Sequence, residues 1–203
     1  MKKLLVCILF LFSASCARMV VTTTSVAEKS TSSLRTSDQL KFDLKLASSL
    51  KDTVENNKKK FFSTYDVRTL GTYEIKVVEG NVLVAGLVND DMTKQFLLDK
   101  IGSNLKIRNL YDEISVEPSV KRHWLDDFFL KRSISLKMLF KRNIRSINYE
   151  FSVINGRVYI IGIARNKTEL ETITGAISTV KGVAEVNSYI ILADDPSRIH
   201  FNN

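Results

Sequence analysis

The 203-residue sequence predicts a mixed α+β fold of two tandem αββαβ units, each with two helices on one three-stranded sheet. Three observations carry that reading. Residues 149–162, "YEFSVINGRVYIIG", nearly repeat residues 73–86, "YEIKVVEGNVLVAG". Apolar residues alternate at the start of both copies, and helix-spaced apolar stripes lie before and after each. Tyr73 aligns with Tyr149, Gly80 with Gly156 and Gly86 with Gly162, always 76 positions apart. The register continues without a gap through Leu97/Ile173 and Ile101/Ile177 to Val116/Leu192. This is an internal duplication.

The chain opens with "MKKLLVCILFLFSASCAR". Lys2 and Lys3 precede the apolar run Leu4–Phe12, which is too short to span a bilayer and has the form of an export signal. "SASC" resembles the box after which a cysteine is freed and acylated, although Ser13 stands where an aliphatic residue is usual. Residues 1–16 are therefore expected to be a lipoprotein-type signal cleaved before Cys16, with ordinary cleavage after Ala17 as the alternative. Cys7 lies inside the signal, so Cys16 is the one cysteine expected in the mature chain, and no internal disulfide can form. Residues 17–37, rich in Ser and Thr, read as a flexible tether.

The first unit is expected over 38–117. It opens with a helix carrying Leu40, Leu44, Ala47 and Leu50 on one face, and a long loop is expected from Glu55 to Thr72. Tyr73, Ile75 and Val77 alternate with polar residues as a half-buried strand does. Glu79-Gly80 turns the chain into a second strand, Val82–Val88. Asp90 can cap a helix whose stripe is Leu97, Ile101 and Leu105. Leu110–Val116 closes the unit.

The second unit, 121–193, repeats the plan. A helical stretch, "KRHWLDDFFLKRSISLKMLFKR", precedes a hairpin turned by Asn155-Gly156. Asn166 caps a helix with Leu170, Ile173, Ile177 and Val180 on one face, and Lys181-Gly182 looks like a glycine stop. Val183–Leu192 is the last strand, and 194–203 is a tail. The second strands are apolar on both faces: Leu83, Ala85 and Leu87 oppose Val82 and Val84, and Tyr159, Ile161 and Ile163 oppose Val158 and Ile160. Helices cover only one face, so the two units are expected to pack together.

A hairpin with its glycines, a helix and then "VKGVAEVNSYIIL" resembles the BON domain. Two copies behind a lipoprotein-like signal are similar to the dual BON-domain lipoproteins of proteobacterial outer membranes. The resemblance implies a non-catalytic, acylated (palmitate-bearing) envelope protein. It would be anchored in the outer membrane, face the periplasm and support outer-membrane integrity. It also implies binding of anionic phospholipid through the first helix of the second unit.

The residue chemistry agrees. Two histidines and no cysteine near them leave no catalytic or metal constellation, and phosphate-binding loops are missing. No enzyme activity, cofactor, metal or small-molecule substrate is expected. The formal charge of +8 raises nucleic acid as a partner, but no GxxG clamp occurs and an exported protein meets little of it. Anionic headgroups are the expected partner. Trp124, Leu125, Phe128 and Phe129 form a broad apolar face with Lys131 and Arg132 beside it, and these six are the candidate phospholipid-binding residues. Lys121, Arg122, Lys137, Lys141, Arg142 and Arg145 add charge, against Asp126 and Asp127. Trp124 and Leu125 are expected outward and Phe128 nearer the core. The other reading of the stripe is that it is simply the helix's core face. The alternative function is a periplasmic adaptor, soluble or anchored, that binds envelope proteins or cell wall.

Overall fold

The structure is a computed structural model and describes residues 33–65, 70–118 and 123–198. The expected signal, its Cys16 and most of the tether lie outside the described residues. In chain order the elements are α1 (Ser37–Tyr65), β1 (Thr72–Val78), β2 (Asn81–Val88), α2 (Asp91–Gly102) and β3 (Asn109–Val116). They continue with α3 (Trp124–Phe140), β4 (Tyr149–Ile154), β5 (Arg157–Ala164), α4 (Lys167–Ser178) and β6 (Glu185–Leu192). The fold is α+β, with two three-stranded sheets ordered β1-β2-β3 and β4-β5-β6. In each, a hairpin forms the antiparallel pair, and a helical crossover brings the third strand in parallel to the second.

The repeated sentence encodes the same hairpin twice. Glu79 and Gly80 have φ of 49° and 73°, and Asn155 and Gly156 of 49° and 78°. Both central residues are left-handed, as a tight two-residue turn between twisted strands requires. The strand glycines lie directly opposite tyrosines: Tyr73 pairs with Gly86, and Tyr149 with Gly162. A Cβ on Gly86 would come within 2.6 Å of Thr72 O, and one on Gly162 would strike the Tyr149 ring. At both positions the facing strand's backbone, joined at Gly162 by the Tyr149 ring, leaves no room for a side chain.

Three expectations are corrected in the first unit. The loop expected from Glu55 is helix as far as Tyr65. No Gly or Pro interrupts "ENNKKKFFSTY", and Phe61 stacks on Phe96 of α2 at 4.1 Å, which gives the last turns a packing partner. Leu44 is exposed, and Leu46 takes the inward place beside Leu50 and Val54. Leu105 is fully exposed, because α2 ends at Gly102. The caps stand as expected, with Asp90 accepting from Thr93 N at 2.7 Å and Asn166 from Glu169 N at 2.9 Å.

Each unit has its own core between helices and sheet. A third cluster lies between the sheets, where Leu83, Ala85 and Leu87 meet Tyr159, Ile161 and Ile163. The two units therefore pack sheet against sheet, as the doubly apolar strands require. Polar bonds rim this seam. Tyr111 stacks on Tyr189 at 4.4 Å, and the Tyr189 hydroxyl donates to Glu113. Glu74 accepts from Lys131 Nζ at 2.9 Å and from Ser152 Oγ at 3.1 Å. At one end Arg198 binds Glu79 at 2.7 Å, both nearly inaccessible, while Arg35 pairs with Asp43 at 2.9 Å and donates to Ile147 O.

Burial by itself would raise the Glu74 carboxyl, but Lys131, Lys76 and Ser152 outweigh it and hold the group below its ordinary value of 4.5. A group lowered in this way stabilises the fold above its unfolded value, and that contribution is lost as pH falls through the folded value. Asp43 acts in the opposite sense, since burial dominates and raises it despite its bonds to Glu79, Arg35 and Gly80. We therefore expect wild-type protein to lose stability more steeply than Glu74→Gln between about pH 5 and about pH 3. Urea midpoints across that range check this, and parallel slopes would remove Glu74 from the linkage.

Candidate functional site

Helix α3 is set by one carboxylate. Asp127, in its first turn, is 4% exposed and accepts from Asn155 N and Gly156 N at 3.0 Å each. Asp43 of α1 does the same for Glu79 N and Gly80 N, at 2.9 and 3.1 Å. In both units the first helix thus grips the two N–H groups of the hairpin turn with an acidic side chain. Sequence reasoning missed this pair because the partners are far apart and spaced differently. Asp43 lies 37 residues before Gly80, and Asp127 only 29 before Gly156.

With Asp127 turned inward, the helical period places Leu130, Ile134 and Met138 in the core. The opposite side is apolar too. Trp124 and Phe129 are each 63% exposed, Phe128 is 55% and Leu125 is 51%. Trp124 and Leu125 point outward as expected. Phe128, expected nearer the core, is corrected: the buried column leaves it on the outer face, edge-to-face with Phe129 at 5.5 Å. The face also extends beyond the expected residues. Leu136, Leu139 and Phe140 continue it to the end of α3. Their spacing from Leu125 and Phe128 was visible in the sequence and could have found them.

The cations divide. Lys131 is held by Glu74 across the seam, and Lys137 Nζ donates to Thr179 Oγ1 at 2.8 Å. Arg132, Lys141 and Arg142 are exposed and make no ion pair among the described residues. Lys121 and Arg122 lie outside the described residues. Glu169 fixes the loop after α3, accepting from Arg145 N and Arg165 Nε, while the Arg165 guanidinium reaches Asn143 O at 2.7 Å. The opposing charge is smaller than the sequence suggested, because Asp127 is buried. Asp126 alone faces solvent, 3.6 Å from the His123 ring.

Among the described residues no group of three or more His, Cys, Asp or Glu could hold a metal ion, and no helix is long and apolar enough to cross a membrane. What the arrangement can do is present an apolar, cation-edged surface to something outside the fold.

Residues 126–194 match the family model of the BON domain, and the chain belongs to the BON-domain family. The matched span is the second unit; the kinship of the first rests on the internal repeat. A relative from Anaplasma centrale, described as an uncharacterized protein in the gshII 5′ region, is 31% identical over 122 residues. That covers 58% of this chain and 80% of the relative. Among solved structures, the C-terminal domain of CdsD, a structural protein of the Chlamydia trachomatis type III secretion system, has 10% identity and a TM-score of 0.29. The overlap is 72% of this chain and 96% of that one. A second CdsD structure has 12% identity and a TM-score of 0.29, with 70% and 63% covered.

Asp127→Ala should cost about 2–3 kcal/mol, because two charge-assisted bonds vanish and leave turn N–H groups unmatched. Asp127→Asn, which keeps one acceptor oxygen, should fall between. Urea unfolding measures both, and a loss under about 1 kcal/mol for the alanine would mean the turn does not depend on this grip.

Proposed function

We propose that this protein is a non-enzymatic envelope protein that binds anionic phospholipid surfaces through the outer face of α3. Family membership supports an envelope or phospholipid-binding role without catalysis. The observation that carries the finer reading is that α3 exposes large apolar side chains on its outer side in both its first and its last turns, with Arg132 and Ser133 between them. An exposed apolar patch of that extent marks an interaction surface. Tryptophan and phenylalanine suit the boundary between headgroup and acyl chain, and Arg132, Lys141 and Arg142 suit lipid phosphate. Lys131 is a contributor only if it leaves Glu74.

In this reading acylated Cys16 ties the chain to the outer membrane, and the tether lets α3 reach the periplasmic surface of that membrane. Cys16→Ser should move the protein to the soluble periplasmic fraction and abolish fatty-acid labelling. Wild-type protein that takes up no label would instead point to cleavage after Ala17.

Burying a large apolar side chain is worth about 2 kcal/mol, and each basic residue at an anionic surface about 1 kcal/mol. Trp124→Ala with Leu125→Ala should therefore weaken binding to phosphatidylglycerol vesicles by more than about tenfold. Both side chains point outward, so the melting temperature should barely change. The measurement is flotation of the Cys16→Ser chain, so that α3 and not an acyl group is read. Normal flotation of the folded double variant would sink the assignment to α3. Equal flotation on neutral vesicles would remove the headgroup preference. No flotation on any vesicle would favour the adaptor reading, with envelope protein or cell wall on this face.

A further inference from the structure

The first unit carries a groove lined by side chains that have no counterpart in the second. The last turns of α1 run beside α2 and enclose a cavity of about 350 Å³, lined by Phe61, Tyr65, Met92 and Phe96 together with Lys60 and Lys100. That is within the size range of small-ligand sites. The floor is the Phe61–Phe96 stack, with Tyr65 against Phe61 at 5.2 Å. Met92 and Tyr65 remain about half exposed. The two lysines make no ion pair among the described residues. The carboxylate in the lining, Asp99, accepts the Gln95 amide at 2.9 Å, so the groove holds two cations against one engaged anion.

The duplication shows that folding does not require this feature. At the 76-residue offset, Met92, Phe96, Asp99 and Lys100 become Thr168, Thr172, Gly175 and Ala176. A Cβ added at Gly175 would meet nothing within 4 Å, so no helix end packs over it. The second unit folds around its own core with none of these side chains. The first unit instead has eight residues more between its hairpin-gripping aspartate and the hairpin turn, and its α1 stays helical as far as Tyr65. Those added turns supply Phe61, Tyr65 and Lys60.

We propose that this groove binds a single-chain anionic amphiphile, with its apolar chain on the aromatic floor and its carboxylate or phosphate head between Lys60 and Lys100. The site is separate from α3 and stands whether or not α3 binds membranes. An aliphatic chain lies against the rings and Met92 without needing hydrogen bonds, and two unpaired ammonium groups complement one anionic head.

The test is an NMR titration of the full chain carrying Cys16→Ser with octyl phosphate below its micelle concentration, following the amides of Thr64, Gln95 and Lys100. Saturable shifts at these residues are expected. Octanol, which lacks charge, and inorganic phosphate, which lacks a chain, should each bind at least tenfold more weakly. Octanoate in a parallel arm shows whether carboxylate serves as well as phosphate, and saturable groove binding by either head supports the site. Lys60→Gln with Lys100→Gln should weaken binding at least tenfold without changing the melting temperature. Met92→Glu, at an exposed position, should block it by repelling the head and wetting the floor. Trp124→Ala with Leu125→Ala should leave it unchanged, which separates this site from the membrane face. Shifts confined to α3, or equal affinity for octanol, or unchanged affinity in the double glutamine variant, would overturn the proposal.

Discussion

Everything in this fold follows from two strands that are buried on both faces. β2 is inaccessible along its whole length, and β5 from Val158 to Ala164. Each αββαβ unit owns two helices, enough to cover one face of a three-stranded sheet. The other face must find apolar cover, and the sheet of the other unit supplies it. Neither unit could expose Leu83, Leu87, Ile161 or Ile163 to water without losing roughly 2 kcal/mol per side chain. Duplication and sheet-to-sheet packing are thus one solution to one problem. The partly exposed Glu74–Lys131 pair in the polar rim orients the pairing more than it drives it, since such ion pairs contribute little.

Once the sheets close on each other, the helices lie on the two outer sides of the molecule, and their rotation decides what the protein shows. That rotation is fixed by Asp43 and Asp127. A carboxylate that accepts both N–H groups of a tight turn can occupy only one azimuth of its helix. From Asp127 the 3.6-residue period then dictates the rest, with Leu130, Ile134 and Met138 inward and Leu125, Arg132, Leu136 and Leu139 outward. The same bond therefore folds the hairpin and aims the apolar face of α3. It also withdraws from the surface one of the two acidic residues that would otherwise have opposed an anionic partner.

The strands, both hairpin turns and both asparagine or aspartate caps were legible in the sequence because they depend on neighbours within a few residues. The packing of the units was legible for a global reason: strands without a polar face cannot stand alone. What escaped was tertiary. Nothing local marks Asp127 as a ligand of a turn 28 residues later, so Asp126 and Asp127 both read as charge set against the cations of the helix. Without that anchor the rotation of α3 was undetermined, which is why Phe128 was expected inward. Leu44 and Leu46 are both plausible core residues by spacing, and only the buried Asp43 decides for Leu46. The extension of α1 was hidden because Asn56 and Asn57 weaken helix propensity, and the compensating stack on Phe96 lies 35 residues downstream.

The differences between the two copies carry as much information as their likeness. Where a duplicated position serves the fold, the pair has stayed close: Tyr73 and Tyr149, Gly86 and Gly162, Ile101 and Ile177. Where it serves a surface, it has diverged in opposite directions. The second unit has a short first helix, apolar on its outer side, and small or polar residues on the outer side of its last helix. The first unit has the reverse, a long first helix whose outer side is polar apart from Leu44 and Tyr65, and a second helix that offers Met92 and Phe96 to it. Apolar groups at a surface are costly unless something covers them, and the two copies place them at different positions. In α1 and α2 they line a concave groove of limited volume, which suits a small guest. In α3 they are spread along the outer side of the helix from Trp124 to Phe140, which suits an extended surface better than a small guest.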